Sequence, residues 1–254
     1  MPTWLEAGLW GLLGGGALVL GALLAWFVRV PQTVIASVMA FGSGVLISAV
    51  AFDLMAEAAD RGGLTPAAIG FLVGAVAYLA ANAALARHGA RHRKRSGANP
   101  DENQPSEKEQ SGSGLAIAIG ALLDGVPESV VLGLGLLTGG AVSLSVLAAV
   151  FISNVPEGLS SAAGMKRAGR PAGYVFGVWG GIAVVSGLAA LLGYVALGGA
   201  PPEVVAVITA VAAGAILTMI ADTMIPEAFE RTRTWTGLIT TVGFLVAFAI
   251  DLAG

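Results

Sequence analysis

The sequence predicts an all-α membrane protein of eight transmembrane helices, and three observations carry that expectation. The chain of 254 residues is 56% hydrophobic and only 11% charged, with a mean hydropathy of +0.83. A soluble domain carries about a quarter charged residues, because a solvated surface needs them. Apolar runs long enough to span hydrocarbon recur near 5–28, 33–59, 65–87, 114–137, 142–168, 171–197, 202–229 and 233–252; a span needs about 20 residues. Twelve of the thirteen Lys and Arg residues also fall in alternate connections, with only Arg61 on the other side.

The first run has no basic stretch ahead of it and exceeds the length of a signal-peptide core, so it reads as a retained helix. Most breaks carry turn residues: Pro31, Gly62-Gly63 with Pro66, Gly139-Gly140, Gly169 with Pro171, and Gly198-Gly199 with Pro201-Pro202. The connections are short, which predicts consecutive helices as antiparallel neighbours. Residues 88–113 are the exception, being polar, charged and rich in Ser, Gly and Pro. They read as a flexible loop within a single transmembrane domain spanning 1–254. They leave three helices before the loop and five after it.

The basic residues orient the chain. Arg29, then Arg87, Arg91, Arg93, Lys94, Arg95 and Lys108, then Lys166, Arg167 and Arg170, then Arg231 and Arg233 share one side. Positive charge favours the cytoplasm, so both termini are expected outside and 88–113 inside a cell (inner or plasma) membrane. The same cluster suits contact with anionic membrane lipids. Nothing points to a nucleic-acid partner.

Several acids lie within the predicted spans, among them Asp53, Glu57, Asp124, Glu128, Glu157, Asp222 and Glu227. A carboxylate at the bilayer centre costs about 2.5–3.5 kcal/mol on insertion scales. No Lys, Arg or His lies deep in a span to pair with them. The acids are then expected to be protonated or to hold something positive. Two segments stand out. Asp124-Gly-Val-Pro-Glu128-Ser in the fourth run is echoed by Ser153-Asn-Val-Pro-Glu157-Gly in the fifth. Asp124 and Glu128 are four apart, as are Ser153 and Glu157, so each pair shares a helix face, with Asn154 adjacent. Each proline frees a carbonyl, of Leu123 and Ile152, beside the carboxylates. Carboxylate, amide, hydroxyl and carbonyl oxygens together suit a hard divalent cation. Fainter is the match of Ala51-Phe-Asp-Leu-Met-Ala-Glu-Ala58 with Ala221-Asp-Thr-Met-Ile-Pro-Glu-Ala228, which also aligns Gly44 with Gly214. It suggests related three-helix units flanking a central pair, a 3+2+3 bundle.

These motifs resemble those of the ZIP (Zrt/Irt-like protein) family of divalent metal transporters. Ser153-Asn-Val-Pro-Glu-Gly158 is similar to the family's fifth-helix His-Asn-x-Pro-Glu-Gly, and the Pro-Glu-Ala ending of the seventh run is also shared. The resemblance covers nearly the whole chain. It implies transport of zinc, manganese or iron(II) as substrate, inward, with Asp124, Glu128, Ser153, Asn154 and Glu157 as metal ligands. Asp53, Glu57, Asp222 and Glu227 would line the pathway's entrance and exit. The departures are specific: Asp124 and Gly125 replace the family's fourth-helix His and Asn, Ser153 replaces the fifth-helix His, and the sixth run has no acid or His. An oxygen shell favours a broader range than zinc alone.

Two alternatives stand beside transport. One is a ZIP-fold sensor or scaffold that no longer transports. The other is an intramembrane enzyme, disfavoured because the spans hold no His, Cys or Lys for catalysis. His88 and His92, four apart, form half a metal site or a solvated face. Gly173, Gly177 and Gly181 permit close packing, within the chain or in a homodimer.

The topology is directly testable, because the chain has no Cys. A Cys placed at Ser106 should resist a membrane-impermeant thiol reagent in intact cells and react after permeabilisation. Labelling in intact cells would reverse the orientation.

Overall fold

Proline and glycine set where the helices begin and end. Pro2, Pro31, Pro171 and Pro201 each stand in extended conformation just before a helix, and their carbonyls accept the first-turn bonds from Leu5, Val34, Tyr174 and Val204. Proline suits that place because it lacks the N–H that a continuing helix would need. Gly169 takes φ +79° after the fifth helix, letting the Arg170 N–H close back on the Met165 carbonyl at 3.0 Å.

The computed structural model describes residues 1–88, 90, 93–94, 104–106, 108–138 and 143–253. Among them eight helices are long and apolar enough to cross a membrane. They are α1 (Thr3–Phe27), α2 (Gln32–Gly62), α3 (Leu64–Ala86), α4 (Ser113–Thr138), α5 (Leu144–Arg167), α6 (Ala172–Leu197), α7 (Pro202–Thr232) and α8 (Trp235–Ala253). Each falls on one of the apolar runs. Two helices change pitch: α2 turns π-helical over Ala49–Met55 and α7 over Ile220–Met224, placing Asp53 and Asp222 in loosened turns. Such turns often mark functional positions.

Packing does not follow chain order as the short connections suggested. The most extensive contacts are α1 with α6 and α5, α3 with α7, α2 with α8, and α4 with α6, whereas α4 and α5 touch only lightly. Small residues decide this. A Cβ on Gly44 would overlap the Thr240 carbonyl oxygen of α8, and one on Gly243 the Phe41 carbonyl oxygen of α2. Gly74 and Gly214 join α3 and α7 in the same reciprocal way, against the carbonyls of Val211 and Phe71. Gly21 and Gly158 do so for α1 and α5. In lipid, where apolar side chains gain little by leaving the solvent, such close backbone approach carries the packing. By contrast, Cβ atoms on Gly173, Gly177 and Gly181 would meet nothing within 4 Å. Among the described residues, these three glycines of α6 therefore make no close helix approach.

The described part of 88–113 is not all surface loop. Arg93, Lys94, Gln104 and Ser113 are buried. The reason lies among the helices, where Arg93 and Lys94 find acids and Gln104 and Ser113 find other hydrogen-bond partners.

A Gly44→Ala change should lower the thermal midpoint of the detergent-solubilised protein, at an overpacking cost of about 1–3 kcal/mol. Gly173→Ala should leave it unmoved. Equal effects from the two would refute this packing scheme.

Candidate cation site

Asp124, Glu128, Ser153, Asn154 and Glu157 are all buried, on the inward faces of α4 and α5. Both helices continue through their prolines, Pro127 and Pro156. Gly158 lets the motif turn of α5 lie against α1 at Leu18. Asn154 fixes the same contact by donating from Nδ2 to the Gly14 carbonyl at 3.0 Å. The Ser153 hydroxyl turns back to the Val150 carbonyl at 3.0 Å.

No base lies deep in a span, yet the acids are not without bases. Arg93 and Lys94, from the connection between α3 and α4, reach the carboxylates and are only 2% and 4% exposed. Arg93 grips Asp124 with two donors, Nε to Oδ2 at 2.9 Å and Nη2 to Oδ1 at 2.8 Å. Its Nη1 donates to Asn82 Oδ1 at 2.9 Å and to the Ala90 carbonyl at 3.1 Å. Tyr78 donates its hydroxyl to Asp124 Oδ1 at 2.7 Å and accepts from Arg93 Nη2 at 2.8 Å. Lys94 Nζ lies 2.6 Å from Glu157 Oε1 and 3.3 Å from Asp124 Oδ2, and donates to Thr223 Oγ1 on α7 at 3.1 Å. One ammonium thus bridges the carboxylates of two helices that barely touch.

The base-bearing segment is tied down by hydrogen bonds outside the acids. Gln104 Nε2 donates to the Arg93 carbonyl at 2.6 Å and to the Ser161 carbonyl at 2.9 Å. The Ser160 hydroxyl donates to the Lys94 carbonyl. Arg170 Nη2 reaches the Pro105 carbonyl at 3.1 Å and Ser113 Oγ at 3.0 Å. Space for Arg93 comes from Gly120, where a Cβ would stand 2.7 Å from Arg93 Cδ.

Burial works against the charge on Lys94, but Asp124 and then Glu157 more than offset it, and its pKa is raised. Arg93 is raised in the same way, Asp124 outweighing its burial. A raised folded value means that Lys94's contribution to stability is full below the ordinary lysine pKa of about 10.4. It is lost only as pH climbs through the higher folded value. Near neutral pH both cations stay charged.

Glu128 is the acid left over. Among the described residues, neither of its oxygens has a hydrogen-bond partner, nor has Asn154 Oδ1. Buried oxygens without donors are rare and call for a cation, a proton or a water. No three of His, Cys, Asp and Glu among the described residues are disposed to hold a metal ion together. Two of the three motif acids have instead been drawn onto Arg93 and Lys94.

The other sequence-derived candidates lie apart from this cluster. Asp53 accepts from Ser143 at 3.0 Å and Ser145 at 2.6 Å, tying α2 to the start of α5. With Glu57 it lines a cavity of about 90 Å³ that also reaches Val131, Leu132 and Val146. Glu57 pairs with Arg61 at 3.0 Å. Val131 and Leu132 stand one turn beyond Glu128 along α4 and are buried. Asp222 is exposed and Glu227 half-buried. His88 is exposed, and His92 lies outside the described residues.

Sequence reasoning missed Arg93, Lys94, Tyr78, Asn82, Thr223 and Gln104. The available signal was charge balance: three acids at depth and a cluster of bases in the connection after the third span. No family model matches the chain, and no curated protein matches it.

Tyr78→Phe removes a bond to a buried charged group, worth about 1.5–3 kcal/mol. The variant should unfold at lower temperature than the native protein. An unchanged midpoint would mean that Asp124 does not depend on the tyrosine.

Proposed function

We propose that the chain is a divergent ZIP-type transporter that carries divalent metal cations inward across the cell membrane, through the carboxylates of α4 and α5. One observation carries this reading. Two copies of a Val-Pro-Glu segment bury Asp124, Glu128 and Glu157 in the bundle, where cations meet two of them and the third has no hydrogen-bond partner among the described residues. Asp53 and Glu57 form the outer cavity, and the metal is substrate rather than resident cofactor.

The helices are read as outer units α1–α3 and α6–α8 around the α4–α5 pair. Exchanging α1 with α6, α2 with α7, α3 with α8 and α4 with α5 maps the main packing pairs onto one another. The π-helical stretches of α2 and α7 correspond under the same exchange. So do the close approaches of Gly44 to α8 and Gly214 to α3. Related halves around a central site suit alternating access.

A second reading is favoured by the ion pairs themselves. If Arg93 and Lys94 were permanent counter-ions, the same fold would serve as a sensor or scaffold without flux. Metal uptake into vesicles holding the full chain separates the two readings.

Flux of manganese or iron(II) should be at least as fast as that of zinc, given an all-oxygen donor set. Glu128→Gln with Glu157→Gln should reduce it at least tenfold while leaving the protein inserted. Asp124→His with Ser153→His should shift preference towards zinc. Undiminished flux in the double Gln variant would end the carboxylate reading, and absence of flux for any metal in the native protein would select the second.

A further inference from the structure

We propose that Arg93 and Lys94 form a displaceable cationic plug, which competes with the metal ion for Asp124 and Glu157 and so regulates loading of the site. The inference rests on the reading of these carboxylates as a metal site. Lys94 Nζ occupies the place a bridging cation would take, 2.6 Å from one carboxylate and 3.3 Å from another on a different helix. A divalent ion using the same oxygens and the ammonium exclude each other, by space and by charge. The two bases belong to neither flanking helix, since α3 ends at Ala86 and α4 begins at Ser113. They can leave without unfolding a span.

The attachment has the form of a latch. Gln104 and Ser160 hold the segment by its backbone carbonyls at Arg93 and Lys94, and Gln104 also grips Ser161 on α5. None of these contacts uses a site carboxylate, so the latch can be altered separately from the metal ligands. Gly120 provides a second handle, because a side chain there would push first against Arg93 and then Ala90. With the plug seated, Asp124, Glu128 and Glu157 are buried, as are Val131 and Leu132 where they line the Asp53 cavity.

The test is equilibrium binding of Mn²⁺ to the full-length purified protein. Lys94→Met and, separately, Gly120→Val should bind Mn²⁺ at least tenfold more tightly than the native chain. Adding Glu128→Gln should abolish the gain in each. Should either plug variant fail to fold, the pair Gln104→Cys with Ser161→Cys serves in its place on the otherwise Cys-free chain. Oxidation should weaken Mn²⁺ binding at least tenfold and reduction should restore it. Glu128-dependent Mn²⁺ binding in the native protein, with affinity unchanged or weakened by Lys94→Met and Gly120→Val, would overturn the plug while sparing the metal site. So would Mn²⁺ affinity that is indifferent to oxidation of the Cys pair. Binding that ignores Glu128 and Glu157 in every variant would overturn both.

Discussion

Negative charge inside a helical bundle must be met by positive charge, and the rest of this structure is organised around that constraint. Asp124, Glu128 and Glu157 are buried together, and two unit charges 4 Å apart interact by about 4 kcal/mol at an effective dielectric of 20. Like charges buried together cannot all persist unless cations or protons join them. Arg93 and Lys94 supply two positive charges from a connecting segment, and Glu128 keeps a place for more. Breaking a buried pair by removing one partner costs about 3–5 kcal/mol. A cation can therefore be exchanged for another cation at far lower cost than it can be lost.

The helix packing prepares this site by bringing backbones close where side chains would otherwise intervene. Gly158 and Asn154 lock the motif turn of α5 onto α1, while α4 rests chiefly on α6. The two motif helices consequently face each other across a gap that neither fills. The Lys94 ammonium bridges it. The π-helical turn of α7 adds Thr223 to the same gap. The corresponding turn of α2 carries Asp53 into the cavity it shares with Glu57.

Much of the architecture was legible in the sequence, because hydrocarbon thickness and backbone bonding leave few choices. Each apolar run became a helix, and Pro31, Pro171 and Pro201 mark helix starts as turn residues should. The burial of the five motif residues followed from their place on repeated faces. The pairing of Asp124 and Glu157 with Arg93 and Lys94 did not. A window of composition around residues 88–113 reads as solvated polar chain, and only the partners, 31 and 63 residues away in sequence, make burial of those bases favourable. Tyr78, Asn82 and Thr223 look like ordinary helix residues until the ions they touch are known. Packing order was also misread from loop length. Short connections restrict where a helix can go, but Gly44, Gly74, Gly214 and Gly243 determine which helices approach closely.

The central claim is that the chain's own cations and a metal ion occupy the same carboxylates by turns. Hydrogen–deuterium exchange of the full-length protein, with and without saturating Mn²⁺, tests this most directly. Mutual exclusion predicts faster exchange across residues 88–113 when Mn²⁺ is bound, and no such change in the Glu128→Gln, Glu157→Gln variant. Slower or unchanged exchange in that segment, at a metal concentration where Mn²⁺ is shown to be bound, would contradict it.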